Sequence, residues 1–163
     1  MDRYYLYPGT LFASKKPHIV NTILGSCVAL TLWDPVLKIG GINHYMLPKW
    51  NGAGTPSYKY GDIAIAELLK RMFDFGCHRS NLIAKVFGGS ETVVSNGVFH
   101  IGKRNIDLAF ELLDKENIVI VSHSVGGPTG RKVIFYSDSG EVMVKNIGHD
   151  AAERLVSADK KKV

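Results

Sequence analysis

The sequence predicts an α+β fold, a sandwich of mixed or antiparallel β-sheets with flanking helices. Short apolar runs bounded by glycine, proline or aspartate are typical of strands, and they occupy both ends of the chain. Only two segments have apolar residues at the three-and-four spacing of an amphipathic helix. The resulting order of strands, helix, strand, helix and strands differs from the regular alternation of a βαβ winding.

Three strands are predicted in the first third of the chain. Segments 19–23 and 28–33 lie on either side of a Gly25-Ser26 break, and a strand over about 39–46 follows a turn at Asp34-Pro35. If the second and third strands pair as neighbours, residues near their facing ends come close together in space.

The later elements have clear boundaries in the sequence. A helix is predicted over 62–75, with Asp62 placed to cap its start and Gly76 to end it, and a second helix over about 105–115. Strands are predicted at 82–87, at 118–122 as a buried strand, and at 133–136 and 142–144 as a hairpin around Asp138-Ser139-Gly140.

Length and charge limit the organisation and the class of function. The 163 residues fit one domain spanning 1–163, with a basic, flexible tail expected at about 150–163. The net charge of +5 includes three lysines at 160–162, and the remaining cations are scattered rather than arranged in a basic stripe. Nucleic-acid binding is therefore not expected.

Localisation and redox state follow from two further features. The N-terminus lacks the apolar core of a secretory signal, and no run is long enough to insert into a membrane, so the expected location is the cytoplasm. The two cysteines, Cys27 and Cys77, form no CxxC pair. Both are expected to be free thiols rather than members of a disulfide or a thiol zinc site.

Cys27 is the first candidate for chemistry. It follows Gly25 and Ser26 at the predicted start of a strand, where a bend can present the thiol and leave backbone N–H groups facing a developing oxyanion. The structural alternative is a small buried hydrophobe, the usual fate of a free cysteine.

His44 is the second candidate, because it lies on the next predicted strand. A free thiol titrates at about 8.5 and needs a neighbouring base to become an effective nucleophile. A third polar group usually fixes the imidazole tautomer, and Thr22 and Asn21 are both available just upstream of Cys27. The sequence does not choose between these two.

Several separated motifs, in order, resemble the CheD family of chemoreceptor glutamine deamidases. Residues 24–29, Leu-Gly-Ser-Cys-Val-Ala, resemble the family's nucleophile motif, and 44–48, His-Tyr-Met-Leu-Pro, its histidine motif. Segments 85–89, 101–105, 130–133 and 139–142 also resemble the family, so the resemblance extends over roughly residues 5 to 147.

The resemblance implies a fold similar to deamidating bacterial toxin cysteine hydrolases and a defined reaction. Cys27 would attack a receptor glutamine carboxamide, His44 would activate the thiol and protonate departing ammonia, and water would hydrolyse the thioester. The family's third catalytic residue is a threonine shortly before the cysteine, a role that falls to Thr22 or is replaced by Asn21. No metal or organic cofactor is implied. The implied partners are methyl-accepting chemoreceptor cytoplasmic domains and a CheC-type phosphatase.

Two other classes of function remain open at this point. The chain could be a regulatory binding partner of a CheC-type phosphatase with little catalysis of its own. It could also be another thiol enzyme, such as an amidase, transglutaminase, protease or receptor methylesterase, because all of these share an acyl-enzyme intermediate.

Overall fold

The structure is a computed structural model that describes residues 1–91 and 100–148. The tail expected at about 150–163 lies outside the described residues, and a single domain over 1–163 stays a prediction. The elements are β1 (Asp2–Tyr5), β2 (Thr10–Ser14), β3 (His18–Leu24), β4 (Val28–Asp34), β5 (Ile39–Tyr45), α1 (Gly61–Asp74), a 3-10 turn (Arg79–Asn81), β6 (Ile83–Gly88), α2 (Ile101–Lys115), β7 (Val119–Val125), β8 (Gly130–Tyr136) and β9 (Val142–Ile147).

The strands form two mixed sheets, as predicted. One has four strands in the order β1-β3-β8-β9, and the other has five in the order β2-β5-β4-β6-β7. The pairs β1–β3 and β6–β7 are parallel, and the remaining pairs are antiparallel. The two sheets and the two helices establish the α+β class.

Two clusters of buried apolar side chains join the three layers of the fold, which are the four-stranded sheet, the five-stranded sheet and the two helices. The first lies between the sheets and takes residues from both: Leu6, Val20, Leu24, Val133 and Phe135 on one side, Ala29, Ile42 and Phe87 on the other. The second lies between the opposite face of the five-stranded sheet and the helices, and includes Leu30, Leu32, Tyr45, Leu68 and Met72. The five-stranded sheet is therefore covered on both faces, which explains the nearly continuous apolar sequence of β4.

Most predicted elements are present with small shifts at their ends. The hairpin is formed by β8 and β9, Gly76 follows the end of α1 with φ +98°, and Cys77 is buried against the helix-side cluster. β1 and β2 were not predicted. β1 is polar and mostly exposed at a sheet edge, so it has no apolar pattern to reveal it.

Two predictions were wrong in their details. The strand predicted as buried at 118–122 is β7, an edge strand in which Val119 is 62% and Val121 50% exposed, because β6 is the one strand among the described residues that pairs with it. Asp62 is not the N-cap of α1: the helix begins at Gly61 with Tyr60 as its N-cap, and the Asp62 carboxylate, inside the first turn, accepts the backbone N–H groups of Trp50 and Ile63.

The second helix begins earlier than predicted, at Ile101 rather than near Asn105. This places Asn105 inside the helix, where it is fully buried. Within the described ranges, neither helix has the length and apolar content needed to cross a membrane.

Candidate active site

Cys27 lies in the short connection between β3 and β4, which belong to different sheets. Three hydrogen bonds hold this connection by its carbonyl groups. Ser90 N–H donates to Gly25 O at 2.9 Å, Gly89 N–H donates to Cys27 O at 2.8 Å, and the Asn105 side-chain amide donates to Ser26 O at 3.0 Å. The backbone around the thiol is therefore fixed from two directions.

The Gly88 backbone packs directly against the Cys27 carbonyl, and this position can only be glycine. Its φ is +104°, a conformation that L side chains rarely adopt, and a Cβ built on it would lie 2.3 Å from Cys27 O. Gly25 has no such requirement, since a Cβ there would meet nothing within 4 Å, and Ser26 is exposed. The glycine that shapes the site is thus at the end of β6 rather than in the nucleophile motif.

His44 lies on β5, which pairs with β4 as expected. Ala29 is its direct cross-strand partner. Side chains alternate along a strand, so Cys27 lies on the same face as Ala29, and both pack against the cluster between the sheets. Cys27 is therefore the diagonal cross-strand neighbour of His44, a separation across which longer side chains make contact.

Thr22 reaches His44 from the opposite sheet. Its hydroxyl oxygen lies 2.7 Å from His44 Nδ1 and donates to Leu6 O at 2.8 Å. A hydroxyl has one hydrogen, so a Thr22 that donates to Leu6 must accept from His44. Nδ1 then carries the imidazole proton, and Nε2 is left with a free lone pair.

Asn21 does not make this contact. It is half-buried and neighbours Thr22 on β3, so its side chain points to the other face of the four-stranded sheet. Val20, Thr22 and Leu24 share the inner face, where Val20 and Leu24 join the cluster between the sheets. Of the two side chains left open by the sequence, the structure brings Thr22 to the histidine.

Burial sets the resting charges of the site. It raises the pKa of the half-buried Cys27 thiol to about 11, with the residue's own backbone N–H acting in the opposite direction. It lowers the pKa of the buried His44 imidazole to about 3. Both groups are therefore neutral at pH 7. His44 Nε2 is buried and has no hydrogen-bond partner in the described part of the chain.

Arg131 holds the backbone at Gly88 in place, a role that the sequence did not reveal. This buried side chain donates to Gly126 O at 2.6 Å, to Ser124 Oγ at 3.0 Å and, at 3.5 Å, to Gly88 O. Asn105 and Leu6 were likewise missed as contributors. Arg131 and Asn105 each lie in a segment that resembles the CheD family, which was the one available signal.

No group of three or more His, Cys, Asp or Glu side chains within residues 1–91 and 100–148 has the arrangement of a metal site. The arrangement that the structure does present is an α+β sandwich in which a threonine of one sheet is hydrogen-bonded to a histidine of the other, with a cysteine in the connection that joins the two sheets. The family model described as CheD chemotactic sensory transduction matches residues 46–146, more than half of the chain. The chain belongs to the CheD family.

Curated relatives extend the match across the site. One from Sulfurimonas denitrificans is 41% identical over 149 residues, covering 90% of this chain and 95% of the relative. Another from Trichlorobacter lovleyi is 41% identical, covering 87% and 89%. Both are named "Probable chemoreceptor glutamine deamidase CheD". An alignment over 90% of this chain includes residues 22 to 44 wherever it begins, so it contains all three site residues.

Proposed function

We propose that this protein is a protein-glutamine deamidase that converts glutamine side chains of methyl-accepting chemoreceptors to glutamate and releases ammonia in chemotaxis adaptation. The observation that carries the proposal is the hydrogen-bonded pair of Thr22 and His44 beside Cys27, in a chain of the CheD family. The names of the relatives supply the substrate class.

The neutral state of both groups defines the first step. The lone pair on His44 Nε2 accepts the thiol proton as Cys27 Sγ attacks the carboxamide carbon, so the thiolate forms only during attack. Thr22 keeps the imidazole in the required tautomer and stabilises the imidazolium that results, because its oxygen accepts a hydrogen bond from Nδ1–H. The low pKa of His44 makes it an effective acid once it is protonated.

The tetrahedral intermediate then collapses to products. The protonated His44 gives its proton to the departing nitrogen, the C–N bond breaks, and ammonia leaves behind a Cys27 thioester. Water, deprotonated by His44, attacks this thioester. The C–S bond breaks, the thiol regains its proton, and glutamate is released.

The backbone N–H groups of Ser26 and Cys27 are the donors that we assign to the oxyanion. In the described part of the chain, neither N–H group donates to another backbone carbonyl. The carbonyl groups of the same two residues both accept hydrogen bonds, from the Asn105 side chain and from Gly89 N–H. Fixed carbonyls orient the peptide planes, which preorganises the N–H groups for a charge that develops during reaction.

We also infer the cellular context of the reaction. A fold similar to deamidating bacterial toxin cysteine hydrolases fits a nucleophile held between two sheets. The cytoplasmic domains of receptors as substrates imply a cytoplasmic location. A CheC-type phosphatase is the proposed regulatory partner, and neither nucleic acid nor membrane insertion has a part in the proposal.

Mass spectrometry of a receptor cytoplasmic domain tests the proposal directly. The domain is incubated with wild-type protein, Cys27→Ala and His44→Ala, and with Cys77→Ala as a thiol control remote from the site. Glutamine-to-glutamate conversion by wild type and Cys77→Ala alone is the expected result. No conversion by the wild type overturns the proposal. Incorporation of an added amine would instead identify a transglutaminase.

A further inference from the structure

We propose that Asn105 is a positioning residue that sets the separation of Cys27 and His44; this rests on the proposed function. Its side-chain amide donates two hydrogen bonds, to Ser26 O and to Met46 O, both at 3.0 Å. Ser26 directly precedes Cys27, and Met46 lies two residues after His44. One amide therefore bridges the segment of the nucleophile and the end of the strand that carries the base.

The helix that carries Asn105 is placed for this contact. Gly102 allows α2 to approach the Gly89-Ser90 turn so closely that a Cβ at 102 would lie 2.4 Å from Gly89 O and 2.6 Å from Ser90 O. Residues three apart share a helix face, so Asn105 lies on the same side of α2 as Gly102, where its amide meets Ser26 O and Met46 O. The Tyr45 hydroxyl donates to Asn105 O at 2.5 Å and fixes the helix to β5.

The Asn105 side chain has one buried oxygen without a partner and two N–H donors that are both used. Asn105 is fully buried, yet Oδ1 has no hydrogen-bond partner among the described residues. Leaving a buried acceptor unpaired costs roughly 1–3 kcal/mol. An aliphatic side chain of similar size would avoid that cost but would remove the donors to Ser26 O and Met46 O, so what distinguishes asparagine here is the pair of hydrogen bonds that its NH2 group makes. Its NH2 group is what the bridge requires, because it carries two N–H donors, one for each carbonyl.

Kinetics on a double-variant cycle separate positioning from general stability. Asn105→Leu keeps the approximate size but removes both donors. A misplacement of about 1 Å can cost about 100-fold in rate, so we expect kcat for receptor deamidation to fall by roughly that factor while KM changes little. Because Thr22 and Asn105 both act through the geometry of the Cys27–His44 pair, adding Asn105→Leu to Thr22→Val should lower kcat by much less than the product of the two single effects.

Trp33→Phe is the matched control. It removes the half-buried hydrogen bond from Trp33 Nε1 to Asp138 O, at the end of β4 opposite Cys27, and leaves both amide bonds of Asn105, so it should lower thermal stability and keep kcat near the wild-type value. Multiplicative losses of kcat when Asn105→Leu is combined with Thr22→Val, or a loss of kcat in Trp33→Phe equal to that in Asn105→Leu, would overturn the proposal.

Two further measurements keep the outcome decisive. If Asn105→Leu does not fold, Asn105→Ser, which retains one donor, is carried through the same cycle. The cycle is then repeated without any receptor, by measuring the rate at which iodoacetamide alkylates Cys27 at pH 7. Because this readout does not need deamidation, it distinguishes a wild type that does not deamidate receptors from an Asn105 that does not position Cys27. Equal alkylation rates in wild type and Asn105→Leu would count against positioning.

Discussion

The Thr22 hydroxyl oxygen lies 2.7 Å from His44 Nδ1 and joins the four-stranded sheet to the five-stranded sheet at a buried point. Because the same hydroxyl donates to Leu6 O, the contact fixes both the orientation and the tautomer of the imidazole. The chemistry of the site therefore depends on the packing of two sheets, and this dependence leads to several testable outcomes.

Replacing Thr22 should reduce catalysis without removing the nucleophile. In Thr22→Val the shape is kept but the acceptor for Nδ1–H is lost, so the productive tautomer is no longer favoured. We expect kcat to fall by about 10²-fold, within the range attributed to a positioned acid-base group. Thr22→Ser keeps the hydroxyl and should retain most of the activity. Steady-state ammonia release measures both.

Asn21→Ala is the control for that experiment, because Asn21 neighbours Thr22 but faces away from His44. It should keep near wild-type kcat. A loss in Asn21→Ala as large as that in Thr22→Val would assign the third position to Asn21 and contradict the geometry.

Stability should decrease in mild acid because of His44. Its pKa is about 3 in the folded protein, against about 6.5 when unfolded, since burial penalises the charged form. The unfolded chain therefore binds the extra proton below pH 6.5, and stability is lost as the pH falls from 6.5 toward 3. The slope from this one group approaches about 1.4 kcal/mol per pH unit.

Urea unfolding of wild type and His44→Gln at pH 7, 5.5 and 4.5 checks this prediction. The wild type should lose free energy of unfolding more steeply than His44→Gln, while the exposed His78→Gln should follow the wild type. Parallel curves for wild type and His44→Gln would show that His44 accepts a proton in the folded protein.

Cys27 should be alkylated increasingly fast well above pH 8.5. Burial raises the pKa of its thiol to about 11, so the thiolate population keeps growing up to that pH. Peptide mapping after iodoacetamide treatment measures the rate and follows Cys77 in the same sample. Burial and the neighbouring Asp34 raise the pKa of Cys77 to about 12, so it should react more slowly than Cys27. A rate for Cys27 that levels off below pH 8 would indicate a preformed thiolate–imidazolium pair instead.

A methyl group at position 88 should displace Cys27. In Gly88→Ala the new Cβ conflicts with Cys27 O, and the positive φ is strained as well. Gly127→Ala matches the strain, with φ +77°, but meets no atom within 4 Å. Both variants should lose stability, by roughly 1 kcal/mol or more, but only Gly88→Ala should also lose most of its kcat. Equal activity in the two variants would remove Gly88 from the site.

Much of the fold could be predicted from local pattern. The spacing of apolar residues in 62–75 and the apolar runs of β3 to β6 are encoded within short segments, so the sequence determines these elements with small errors at their ends. The burial of β7 could not be predicted, because an apolar run does not reveal whether a second strand pairs with its free edge.

For the site, the sequence by itself determined Cys27 and His44 as candidates, since each lies in a distinctive segment and their strands are close in the chain. Only the tertiary structure showed that Thr22, and not Asn21, contacts His44, because this depends on which face of β3 meets the other sheet. It alone brought Asn105, 78 residues after Cys27 in the numbering, to the Cys27 segment, and Arg131 to Gly88, which packs against that segment. Such contacts arise from the packing of distant elements, which no local pattern records.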